Sequence, residues 1–291
     1  MMEFLLLSMG GLRIGAVYAL AALGLVVIHK ATKTVNFAHG AYIMLGSYGA
    51  YFGVVRFGVS YWLVYILVPV AVGLFAGAVE YLLLRSIRVA DAFTVVITTV
   101  FVSVLLSELA RVIFESEVLS VPSAVSGMPF RLGPLIVTPE TGWIVGGALS
   151  LGLVSAYIFA RSRLGRAMRA MASSIRGAQL CGYSVDRIYA QAWFLGGGLA
   201  GLAGVFAAPR LGVSPDLAAM TIVPAFVAAI IGGFDSLVGA LLGGLMLGLL
   251  ETYTAAYISG AFKSPLTFLL VLAVLLFRPE GLFTQNRLRR V

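Results

Sequence analysis

The chain has 291 residues, 60% of them hydrophobic and 11% charged. A water-soluble domain carries about 25% charged residues, so this chain cannot cover its own surface in water and reads as a polytopic membrane protein. Its formal charge of +8 then belongs to membrane sidedness rather than to nucleic-acid binding.

The apolar runs are continuous and near twenty residues long, which fits spanning helices and not the alternating strands of a barrel. The expected fold class is all-α, a single transmembrane domain over 1–291 with about eight hydrophobic units. The opening MMEFLLLSMGGLR has no basic n-region and no clear cleavage site, so it reads as the lead-in to the first span. Spans are predicted near 11–29, 39–55, 61–84, 92–113, 142–160, 188–208 and 265–277. The stretch 221–251 holds two shorter apolar runs split by GGFDS at 232–236. That turn-forming cluster predicts a broken helix or a re-entrant pair.

Basic residues set the orientation. Segments 30–38, 85–91, 161–187 and 278–291 carry Lys30, Lys33, Arg85, Arg88, six arginines of 161–187, Arg278, Arg287, Arg289 and Arg290. These are fourteen of the twenty basic residues, with three acids; the rest of the chain has six basic residues and nine acids. The four segments are predicted to be cytoplasmic, which puts the N-terminus outside and the C-terminus inside. The stretch 221–251 must then enter and leave on one side, as a re-entrant pair or as two thin crossings. The loop 114–141 falls outside, with Glu115, Glu117, Glu140, Pro122, Pro129, Pro134 and Pro139.

Glycines recur at four-residue spacing in Gly73/Gly77, Gly142/Gly146, Gly197/Gly201, Gly239/Gly243 and Gly244/Gly248, a pattern that lets helix backbones approach in lipid. Gly196, Gly198 and Gly201 also match G-x-G-x-x-G. No strand or βαβ unit precedes them, so they are expected to pack helices and not to bind a dinucleotide. Cys181 is the single cysteine, which excludes an internal disulfide. No Cys/His spacing suggests a metal site.

Residues 164–176 form an amphipathic pattern. Leu164, Met168, Met171, Ala172 and Ile175 share one helical face, and Arg166, Arg169, Ser173 and Arg176 share another. Gly165 lies near its start, and Gly177 and Gly182 follow it. Such a helix lies on lipid with its arginines at the headgroups or docks in a groove on a cytoplasmic partner through an adaptable methionine face. The pattern fits both.

Other polar residues fall at breaks. Asn36 and His39 sit between two apolar runs, as a cap and a satisfied polar group or as a polar break beside a pathway. Asp235 and Ser236 lie in the break of 221–251. Either Asp235 caps the following half-helix or the two line a cavity, as broken transporter helices do. Glu80, Glu108 and Glu251 lie near span ends, where solvation or pairing is expected.

Several stretches, in order along nearly the whole chain, resemble one family. SRLGRAMRAMASSIRGAQLCGYSVDRI resembles the cytoplasmic coupling loop of ABC-importer permeases of the branched-chain amino acid (Liv) family. VNFAHGAYIMLGSYGAY at 35–51 resembles its Asn-Phe-Ala-His-Gly signature, VAAIIGGFDSLVGALLGGLMLGLLE at 227–251 its Gly-Gly-x-Gly-Ser segment, and FRPEGLF at 277–283 its closing Arg-Pro-x-Gly-Leu. The short lead-in resembles the LivH-type subunit. The chain departs from the family at Phe234-Asp235 and Ser173-Ser174.

The resemblance implies a prokaryotic cell-membrane permease subunit importing branched-chain or other small amino acids. Its partners would be two cytoplasmic ATPase subunits, a second permease subunit, either a paralogue or an identical copy, and an extracytoplasmic solute-binding protein. No G-x-x-x-x-G-K-[ST] occurs, so no cofactor is expected on this chain, with ATP and magnesium on the ATPases. Arg163, Gly165, Arg166, Arg169, Ser173, Arg176, Gly177 and Gly182 would form the coupling segment. Asn36, His39, Asp235 and Ser236 are the translocation-pathway candidates. An ATP-independent secondary transporter or channel would fit the broken helices equally well.

Overall fold

The structure, a computed structural model, describes residues 2–87, 92–115, 117–132 and 135–283. Arg88, Arg287, Arg289 and Arg290 of the basic segments, and Pro134 of the outer loop, lie outside the described residues.

Each long apolar run satisfies its backbone hydrogen bonds internally, as lipid requires. The helices are α1 (Met2–Thr32), α2 (His39–Ala50), α3 (Tyr61–Val79), α4 (Ala92–Phe114), α5 (Pro139–Arg161), α6 (Arg163–Ser173), α7 (Ile175–Leu180), α8 (Val185–Leu211), α9 (Leu217–Gly232), α10 (Leu237–Tyr257) and α11 (Lys263–Phe277). A short antiparallel hairpin, β1 (Phe130–Leu132) and β2 (Leu135–Val137), interrupts the 114–141 loop with Phe130 opposite Val137. The fold is otherwise helical.

Among the described residues, seven helices are long and apolar enough to cross a membrane. The expected span at 39–55 is not one of them. It is α2 followed by a π-helical turn, Tyr51–Arg56, and ten of the twelve α2 residues are buried. Other helices surround α2, so it needs no lipid-facing apolar coat. Burial elsewhere is uneven. In the most apolar window of α1 and of α8, 78% of residues are buried, against 22% in α4 and 11% in the window ending α11. Thus α1 and α8 are central, and α4 and α11 are peripheral.

Four of the five glycine pairs mark helix contacts. Gly244 and Gly248 of α10 press on the α1 backbone at Ala19 and Gly15. Gly197 and Gly201 of α8 meet Ala76 and Val72 of α3, and Gly73 faces the Phe194 carbonyl. Gly239 and Gly243 face Gly232 and Ala228 of α9. Gly142 and Gly146 meet nothing within 4 Å; on α5 it is Gly147 that touches another helix, through Phe206.

The contacts Gly232 with Gly239 and Ala228 with Gly243 run in opposite directions, so α9 and α10 form an antiparallel hairpin. α10 also runs antiparallel to α1, from Asp235 beside Lys33 to Tyr253 beside Ser8. The stretch 221–251 therefore lies in an antiparallel helical hairpin, 16 residues in α9 and 21 in α10, that enters and leaves at one end.

The basic segments gather at the other end. Lys33 pairs with Asp235 at 3.2 Å, the Leu282 amide donates to the Ile231 carbonyl, and Arg85 pairs with Asp186. At the opposite end Leu119 bridges to Val213 and Arg111 pairs with Asp216 at 2.9 Å.

Candidate functional site

The chain turns sharply where α5 ends. Ser162 caps α6, its Oγ accepting from the Gly165 amide at 3.0 Å. A methyl group on Gly165 would overlap the Phe159 carbonyl, so only glycine lets α6 fold back under α5. Arg169 donates to the Ala160 carbonyl at 3.1 Å and to the Phe159 carbonyl at 3.4 Å. Those carbonyls end a helix and have no intrahelical partner, and a cation suits that negative pole.

Met168 and Met171 are fully buried in the main core with residues of α1, α5 and α8. The methionine face therefore touches neither lipid nor a partner. The predicted single helix over 164–176 is also two. It ends at Ser173, and Ser174 caps α7 by accepting from the Gly177 amide at 3.1 Å. Ile175 leaves the apolar face and is exposed. Gly182 has φ +82°, a left-handed turn that suits glycine. Arg163, Arg166, Ser173, Arg176 and Leu180 are exposed, while Gly165 and Arg169 hold the segment to its own bundle and Arg166 adds a bond to the Arg161 carbonyl at 2.8 Å. The residues missed in the sequence are the caps Ser162 and Ser174. Both begin Ser-x-x-Gly, a cap signal that recurs at Ser236-x-x-Gly239.

Asn36 and His39 are buried at the N-terminus of α2. The Asn36 Oδ1 accepts from the Ala38 amide at 2.9 Å. The His39 Nε2 lies 2.8 Å from the Ala21 carbonyl in the middle of α1. A carbonyl only accepts, so Nε2 carries the proton. Gly24 leaves room for the imidazole, whose Cε1 lies 2.7 Å from where a Cβ would be. The Asn36 Nδ2 and the His39 Nδ1 have no hydrogen-bond partner. Beside them, the Phe37 amide donates to Thr99 Oγ1 of α4 at 3.1 Å.

Asp235 and Ser236 do not join this site. Asp235 sits at the basic end with its side chain 60% exposed, paired with Lys33, and its carbonyl accepts from Lys30 at 2.6 Å. Ser236, not Asp235, caps α10, through the Gly239 amide at 2.9 Å. Of the three glutamates, Glu108 is exposed and paired with Arg111. Glu80 is buried in a π-helical turn. Glu251 is buried and accepts from Tyr18 of α1 and Thr267 of α11.

A family model described as the permease component of the branched-chain amino acid transport system matches residues 8–277. The chain belongs to that family. The high-affinity branched-chain amino acid transport system permease protein LivH of Escherichia coli (strain K12) is 30% identical over 304 residues, covering 99% of this chain and 98% of that protein. BraD of Pseudomonas aeruginosa, named for the same kind of system, is 29% identical over 97% of this chain and 96% of its own. A probable LivH of Methanocaldococcus jannaschii is 29% identical over 90% and 87%. No solved structure gives a significant match. Family membership and the seven long apolar helices among the described residues make this member of the family a multi-pass inner-membrane transport subunit.

Proposed function

We propose that this permease is the membrane subunit of an ATP-driven ABC importer for branched-chain or other small amino acids. It works with two cytoplasmic ATPase subunits, a second permease subunit and an extracytoplasmic solute-binding protein. ATP and magnesium belong to the ATPases. The basic end of the bundle faces the cytoplasm.

The observation that carries this is the seat of α6. Its buried methionines rest on helices that cross the membrane, and Gly165 and Arg169 fasten it to the end of α5. Its outward face offers Arg163, Arg166 and Ser173, followed by Arg176 and the 91% exposed Leu180 of α7. A partner that grips this face and moves cannot shift α6 alone; it tilts α5 with it. Rigid-body transmission of this kind switches access between the two sides. Gly177 and Gly182 shape the turns around α7. Asn36 and His39 sit where α2 meets α1 and α4, so a tilt of the bundle is felt at their unpaired polar atoms.

The test is purification of the tagged chain from native membranes in mild detergent, with mass spectrometry and an ATPase assay. A stoichiometric nucleotide-binding subunit is expected, lost when Arg163 and Arg166 become Glu. A chain that purifies alone and takes up solute without ATP would replace the importer with a secondary transporter.

A further inference from the structure

α4 is the second most lipid-exposed of the seven long helices, yet one side of it is polar. Thr99, Ser103, Ser107 and Arg111 follow at four-residue steps, which places them on one slowly turning stripe. Phe101 and Leu105 face away, 69% and 59% exposed. Thr94 and Thr98 lie on that outer face too, with the Thr98 hydroxyl donating back to the Thr94 carbonyl at 2.8 Å, so hydroxyls alone do not mark the stripe; the wall opposite it does.

Ser103, Ser107 and Arg111 of the stripe line an open cleft of about 320 Å³ between α4 and the start of α9, at the lower end of the range of about 300–1,000 Å³ for small-molecule sites. Val100, Val104 and Ile222 give it apolar walls, and Ser103 and Ser107 add hydroxyls. At one end Arg111 lies between two carboxylates, 3.4 Å from Glu108 and 2.9 Å from Asp216. At the other end Phe37 lines the cleft, with its amide on Thr99 and with Asn36 and its unpartnered Nδ2 next in the chain. The cleft thus runs from the end opposite the basic segments to the break between α1 and α2.

We infer that this cleft is one wall of the substrate path and that it takes a small zwitterion with an aliphatic body. The inference rests on the transport function proposed above. Arg111 receives the carboxylate of the solute, Glu108 or Asp216 receives its ammonium, and the apolar walls take its side chain. Two cations then meet three carboxylates, so Arg111 shares itself between the carboxylate of the solute and whichever of Glu108 and Asp216 the ammonium leaves; all of these side chains are partly exposed, which limits the desolvation that entry requires. Below the mouth, Ser107 and Ser103 offer hydroxyl oxygens at one-turn intervals. The Ser107 hydroxyl donates to the Ser103 carbonyl at 2.9 Å, so its lone pairs remain for an ammonium group.

The test uses the full transporter in membrane vesicles with ATP enclosed, in a background where Cys181 is replaced by Ser. Single variants Ser103→Cys, Ser107→Cys, Phe101→Cys and Leu105→Cys are treated with a small water-soluble thiol reagent. Positions 103 and 107 are expected to react about tenfold faster than 101 and 105, because a thiol in lipid does not ionise. Leucine is expected to slow labelling at 103 and 107, and leucinamide, which lacks the carboxylate, is not. Equal labelling at all four positions would overturn the cleft assignment, showing a lipid-filled or helix-filled groove. Equal effects of leucine and leucinamide would overturn the zwitterion assignment. Uptake of labelled leucine by the unmodified transporter is measured alongside. ATP-dependent uptake with equal labelling sinks the cleft and leaves the importer standing. Fast labelling at 103 and 107 without ATP-dependent uptake sinks the importer and leaves a water-filled cleft.

Discussion

At Gly165 the absent side chain is what lets α6 lie beneath α5. Gly165→Ala would force the two apart, at the about 1–3 kcal/mol or more typical of overpacking. The expected result is a lower melting temperature in detergent together with loss of substrate-stimulated ATPase activity. Arginines only six residues apart separate in effect. Arg169→Ala strips the Phe159 and Ala160 carbonyls of a charged donor and should destabilise the chain by about 1–3 kcal/mol. Arg163→Ala, exposed, should leave the melting temperature unchanged and reduce the ATPase that co-purifies. His39 poses a different question, since its ring ties α2 to the Ala21 carbonyl. His39→Leu removes this bond between helices and leaves the carbonyl only its partner within α1, whereas His39→Gln keeps an N–H donor and should retain more folded protein after detergent challenge. Equal losses in both would mean that ring volume, not the hydrogen bond, is what matters.

Elements explain which patterns in the sequence could be read and which could not. The amphipathic period of 164–176 was legible, and so were its breakers, because 3.6-residue spacing is local information. Which neighbour covered the methionine face was not, since α1 and α8 approach from far along the chain. The Ser-x-x-Gly starts at 162, 174 and 236 carry a local cap signal that would have split the segment and assigned Ser236. Ser236→Ala should therefore cost about 1 kcal/mol. Asp235→Ala removes only an exposed ion pair and should cost less, between about 0 and 1 kcal/mol. The reverse order in thermal unfolding would return the cap to Asp235. Four-residue glycine spacing was legible too, but spacing alone does not say whether a helix stands opposite. Gly244 and Gly248 meet the α1 backbone and Gly142 and Gly146 meet open space. Gly248→Leu should abolish folding, while Gly146→Ala should be neutral or raise stability by up to about 1 kcal/mol, the helix propensity gained. Parallel melting curves decide.

At the scale of the whole molecule, charge asymmetry foretold that the basic segments share an end, and in the described residues they do. The α4 cleft was not foretold, because single polar residues in an apolar run gain meaning only when a partner wall faces them. The proposed orientation has its own check in native Cys181, which is exposed at the basic end. An impermeant thiol reagent should label it in inside-out vesicles and not in intact cells; the opposite pattern would invert the topology. The basic end also shows how the chain is closed. Gly281 lies against Gly233, and the Leu282 amide bonds the Ile231 carbonyl, so a segment beyond the last crossing latches the tip of the α9–α10 hairpin. During synthesis that hairpin stays unlatched until Leu282 has left the ribosome. Truncation at Phe277 would leave the helices through α11 in place and the hairpin tip open to quality-control proteolysis.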